Sequence, residues 1–92
     1  MTSVSFMAVA EKGPMLGRTA HMLLLVDSDD PLFVRTRAKG HLLELGWNAV
    51  GDFDSADMRT VEAYQGRNIS LRLGYEEARR SGIWCELLYY VT

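Results

Sequence analysis

One unbroken apolar run, Ala20-His21-Met22-Leu23-Leu24-Leu25-Val26, constrains this chain more than any other feature. It is too short for a buried helix and the right length for a strand. Ala20, Met22, Leu24 and Val26 fall on one face, and His21, Leu23 and Leu25 on the other. Apolar groups on both faces predict an interior strand with something covering each side.

An acidic turn, Asp27-Ser28-Asp29-Asp30, follows the run and leads into Pro31. Asp30 can accept a bond from an orphan N–H of a first helical turn, and Pro31 sits where its missing N–H costs nothing. A helix is predicted from Pro31 to Leu45, with Phe33, Val34, Ala38, Leu42 and Leu45 toward the core. Gly46 supplies the left-handed residue that closes many helices.

The remaining elements are placed by how they cover this unit. Val4 to Ala10 reads as a strand with apolar groups on both faces. The loop from Glu11 to Thr19 carries Gly13-Pro14 and Gly17, and its tip holds Met15 and Leu16. Those two side chains are expected to fold back on the core or to serve as a contact surface. Trp47 to Asp54 reads as a third strand, half exposed at an edge. Ser55 to Gly66 reads as a short, thinly apolar helix. A second full helix is expected from Asn68 or Ser70 to Arg80 or Ser81, with Leu71, Tyr75 and Ala78 inward and Gly82 ending it. Ile83 to Val91 is the last strand. Strict alternation puts Ile83, Cys85, Leu87, Tyr89 and Val91 on one face and Trp84, Glu86, Leu88 and Tyr90 on the other.

The order β-β-α-β-α-β predicts an α+β two-layer sandwich: a four-stranded mixed sheet with both helices on one face, in a single domain over residues 1–92. The uncovered face would then carry Met7, Leu23, Leu25, Trp84, Leu88 and Tyr90. That is too much apolar surface to leave wet, so these residues are the predicted protein contact.

Composition narrows the function classes. The formal net charge is -2 and the basic residues are scattered, which disfavours a nucleic-acid binder. The single cysteine, Cys85, leaves no intramolecular disulfide and points to the cytoplasm. Met1 to Phe6 has no basic region ahead of its apolar residues, so no signal peptide is expected. No apolar stretch approaches the ~20 residues that span a bilayer.

Few residues suggest chemistry. Asp27, Asp29 and Asp30 follow one strand, and Asp52, Asp54 and Asp57 follow another. If both sets gather at one sheet edge, Asp27, Asp29 and Asp54 could hold Mg²⁺ through their oxygens. Capping by Asp30 and ordinary solvated turns explain the same residues more simply. An apolar strand ending in Asp27-Ser28-Asp29 resembles the start of the haloacid-dehalogenase phosphatases. The chain is too short for that fold and has Pro31 where the family's pattern expects threonine, so the resemblance is set aside. Neither His21 nor His41 has a partner at metal-ligand spacing. Cys85 lies in an apolar strand, where a thiol behaves as a small hydrophobe.

These features predict a small non-catalytic protein-binding or accessory protein, of inhibitor or immunity type, acting as a homodimer or against another protein. No cofactor is expected. The alternative is a small dimeric enzyme or ligand-binding domain with an acidic, metal-assisted site at the strand carboxyl ends.

Overall fold

A computed structural model of the chain describes residues 1–50, 57–61 and 69–91. The elements are β1 (Thr2–Ala10), β2 (Thr19–Val26), α1 (Pro31–Glu44), β3 (Trp47–Ala49), β4 (Asp57–Thr60), α2 (Ile69–Ser81) and β5 (Ile83–Tyr90). The five strands form one antiparallel sheet in the order β3-β1-β2-β5, with β4 also pairing β1. β3 and β4 thus lie end to end along β1, opposite Ala8–Ala10 and Thr2–Ser5 respectively.

β1 and β2 form the centre, with Val4 opposite Leu24 and Phe6 opposite Met22. Their common face carries Val4, Phe6, Ala8, Ala20, Met22, Leu24 and Val26. It meets Val34, Ala38 and Leu42 of α1 and Ile83 of β5 in one core. Leu24, Leu42, Val4, Val26 and Val34 are the largest fully buried side chains. Burying a side chain of this size stabilises the fold by roughly 1.5–3 kcal/mol, and these five anchor the α1 layer.

α1 begins as its sequence dictates. The Asp30 carboxylate accepts a hydrogen bond from Leu32 N–H at 3.1 Å, and Pro31 follows in the first turn. Gly46 closes the helix at φ 85° and Gly82 closes α2 at φ 97°, both in the left-handed region that excludes most side chains. The inward stripe of α1 is narrower than expected. Val34, Ala38 and Leu42 are buried, but Phe33 and Leu45 are 52% and 51% exposed. A row at i, i+4, i+8 fills the contact with a flat sheet, and residues one step off that row fall on its flanks.

The expected α+β class is present, and several particulars differ, including the two-layer arrangement with both helices on one face. Among the described residues the sheet has five strands and none is parallel to its neighbour. β2 and β3 do run the same way, as a crossover requires, but β1 lies between them. The fifth strand is β4, within the segment expected to be helical. Met58 packs against the core from beside Val4, so alternation over Asp57–Thr60 prevails over helical spacing. The third strand is regular only over Trp47–Ala49, and residues 51–56 lie outside the described set.

The two helices cover opposite faces. Gly74 of α2 sits directly on the indole of Trp84, leaving no room for a Cβ. Trp84 pairs with Leu25, and both point away from the core formed by Leu24, Val26 and Ile83. α2 therefore lies over Leu25 and Trp84, on the face that the sequence reading leaves bare. Two small residues, Gly74 and the fully buried Ala78, allow this close approach. The side chain of Leu71, expected to face inward, lies outside the described residues.

Candidate functional site

The predicted contact residues divide into three groups. Leu25 is buried at 5% exposure, and Trp84 is half-buried beneath α2, so neither forms an open surface. Met7 and Leu23 are half-buried on the same face. Leu88 and Tyr90 are exposed, at 43% and 38%. Their expected common face is corrected by a register shift between His21 and Met22. Leu87 pairs with Met22 and Tyr89 with His21, so one extra residue enters β5 and reverses the alternation beyond it. Tyr89 thereby shares the face of His21, and Tyr90 aligns with Ala20.

That reversal builds a small polar cluster. His21 Nε2 lies 2.8 Å from Ser5 Oγ, and its Nδ1 lies 3.3 Å from Met7 Sδ. The imidazole stacks on Tyr89 at 5.3 Å between centroids, with planes 5° apart. A serine hydroxyl on an imidazole is the contact that activates a nucleophile. Here the other ring nitrogen faces a thioether, which cannot stabilise an imidazolium as a carboxylate does. β1 and β2 are both interior strands, so the backbone around Ser5 and His21 lies within the sheet. The cluster is a packed polar patch on the sheet. Sequence spacing hides it because Ser5 and His21 meet only through the hairpin register. The alternation of Ser3 and Ser5 with Val4 and Phe6 was the available signal.

Among the described residues, the acidic side chains that follow β2 do not gather. Asp27 is exposed and its backbone N–H donates to Gly82 O. Asp29 accepts from the N-terminal ammonium at 2.9 Å. Asp30 caps α1. Asp57 pairs with Ser5, four residues into β1 from Met1, or ~13 Å along the strand from the end where Asp27 and Asp29 lie. Asp52 and Asp54 lie outside the described residues. Among the described residues no group of three His, Cys, Asp or Glu is placed to hold a metal ion.

Cys85 and His41 stand apart from these. Cys85 pairs with Leu24 on the core face, opposite to His21, so no Cys-His arrangement forms between them. Burial, and next the negative charge of Glu86, push its thiol up to about 11. In α1, His41 is held below its ordinary value by burial first and by the Arg37 charge second, with Glu44 acting in the opposite direction.

Two surface features remain. One end of the sheet gathers exposed apolar groups: Leu88, Tyr89, Tyr90 and Val91 from β5 and the residue after it, and Met15 and Leu16 from the β1–β2 loop. Val91 N–H donates to Thr19 O at 2.8 Å, and the Arg18 guanidinium lies 4.0 Å over the Tyr90 ring, so loop and strand end are tied together. Met15 and Leu16 are thus exposed and do not fold back on the core as expected. The second feature is a cleft of about 470 Å³ beside α2, lined by Leu73, Glu76, Glu77, Arg80 and Trp84. No helix among the described residues is long and apolar enough to cross a membrane.

The chain matches no protein-family model, and no curated protein or solved structure is significantly similar to it.

Proposed function

We propose that this chain is a non-catalytic protein-binding protein that acts as a homodimer and engages another protein through the apolar end of its sheet. The supporting observation is the concentration there of Leu16, Leu88, Tyr89, Tyr90 and Val91, between 38% and 66% exposed. Tyrosines at a surface supply large contact area at low entropic cost and are enriched at interfaces. The cation–π contact of Arg18 with Tyr90 orients the ring before any partner arrives.

A photo-crosslinking amino acid placed at Leu16 or Tyr90 tests this in the source cell. The expected result is one defined adduct from both positions, absent when the same group replaces Thr36 on the exposed side of α1. Equal labelling from all three positions would count against the end surface as the binding site.

A further inference from the structure

We propose that the outer face of α1 is a docking surface for an acidic amphipathic helix of another protein. The face is additional to the sheet-end surface and does not depend on it. A crosslinking group at Thr36 reports on this helix, and not on the adduct expected from Leu16 and Tyr90.

α1 is apolar on two sides. Val34, Ala38 and Leu42 are buried against the sheet. At about 3.6 residues per turn, Phe33, Thr36, Gly40 and Leu43 form a second row on the opposite side. Phe33 is 52% exposed and Leu43 48%, and Leu32, 71% exposed, flanks the row at its start. A surface helix normally keeps its outer side polar, and exposed apolar groups gathered there mark a contact.

The shape of the row says what can cover it. Phe33, Thr36, Gly40 and Leu43 follow the alternation of three and four residues by which one helix packs on another. Phe33, Thr36, Arg37 and Gly40 outline one four-residue hole, and Thr36, Lys39, Gly40 and Leu43 outline the next. Gly40 floors both. A Cβ built there meets nothing within 4 Å, yet the residue itself is only partly exposed. It therefore lies at the bottom of a shallow open notch, shaped to receive bulky side chains spaced three or four apart on a facing helix.

Charge selects the occupant. Each hole carries one cation, Arg37 or Lys39, on opposite flanks of the row. Neither joins an ion pair among the described residues. Glu44, the only acidic residue of α1, lies in its last turn and faces His41 at 3.9 Å. A second copy fits poorly, because Thr36 and Gly40 are too small to fill the holes of their counterparts. Pairing α1 with itself also sets the Lys39 flank against its own equivalent when antiparallel, and against the Arg37 flank when parallel. A facing helix with leucines at the required spacing and glutamates beside them fills the notch and meets both cations.

Isothermal titration of the full chain with a synthetic peptide tests the proposal. The peptide carries leucines at heptad a and d positions and glutamates on both flanks, whose mutual repulsion keeps it from pairing with itself. Binding at about 10 μM is expected, weakening as salt is raised. Gly40→Leu fills the notch and should weaken binding roughly tenfold or more. Its thermal midpoint should equal or exceed that of the wild type, because the added side chain enters open space and leucine is the better helix former. Lys39→Glu should weaken binding too, and a peptide with lysines in place of the glutamates should bind roughly tenfold less tightly. No binding of the acidic peptide, equal binding of the two peptides, or a folded Gly40→Leu variant that binds like the wild type overturns the proposal. A wild-type dimer in sedimentation that Gly40→Leu abolishes also overturns it and assigns the face to a second copy. Binding to phosphatidylglycerol vesicles that Lys39→Glu weakens and Gly40→Leu does not overturns it in favour of a lipid surface.

Discussion

Gly74 of α2 rests on the indole of Trp84 so closely that a methyl group at that position would overlap the ring. The contact fixes which face of the sheet the second helix covers. It also explains a glycine in mid-helix, where the residue costs up to ~1 kcal/mol of helix propensity relative to alanine.

The contact gives the first prediction. Gly74→Ala adds propensity but forces the Trp84 indole or the helix to move. Overpacking of this kind costs about 1–3 kcal/mol, so the net change is destabilising or near zero. A urea midpoint that rises by the full propensity gain, with Trp84 fluorescence unchanged, would show that the indole is not held beneath α2.

How much of this was legible beforehand can be read from the same residues. Ala20–Val26, the Asp30-Pro31 helix start and the closing glycines Gly46 and Gly82 announce themselves because each follows a local rule. The face of α2 does not, because a helix stripe as small as Gly74 and Ala78 carries almost no hydrophobic signal. β4 was hidden in Asp57–Thr60, whose single apolar residue, Met58, fits helix and strand patterns equally. The Ser5–His21 contact and the reversed positions of Tyr89 and Tyr90 depend on pairing register and a one-residue bulge. Neither is encoded in the spacing of either strand alone.

The cap of α1 gives a second prediction. The Asp30 carboxylate satisfies Leu32 N–H, and Ser28 Oγ in turn accepts from Asp30 N–H at 3.2 Å. Asp30→Ala should cost ~1 kcal/mol, and Asp30→Ser much less, because serine also caps. Chemical denaturation of both variants separates capping from simple charge removal. Equal losses would mean that the carboxylate acts through charge.

His41 sets a pH dependence. Its folded-state value is held below the ordinary 6.5 of an exposed histidine, chiefly by burial and next by the Arg37 charge. The unfolded chain therefore binds the proton more readily, and protonation favours unfolding. Stability should be constant above the unfolded value and fall as pH drops below 6.5 toward the folded value. His41→Gln should flatten that part of the curve. Urea midpoints for both proteins between about pH 5 and 8 measure it, and identical slopes would assign the decline to other groups.

Cys85 gives the last prediction, and it bears on the core rather than on catalysis. Its thiol is raised from 9.0 to about 11 by burial and then by Glu86. At pH 8 a two-unit rise leaves roughly a hundredfold less thiolate than in an exposed cysteine, and the thiolate is the species that reacts. Alkylation by iodoacetamide should be slow in the folded protein and accelerate through the urea transition. The rate should then track unfolding rather than local motion of β5, because Cys85 packs against the core between Ile83 and Leu87. Fast, urea-independent alkylation would place the thiol outside that core.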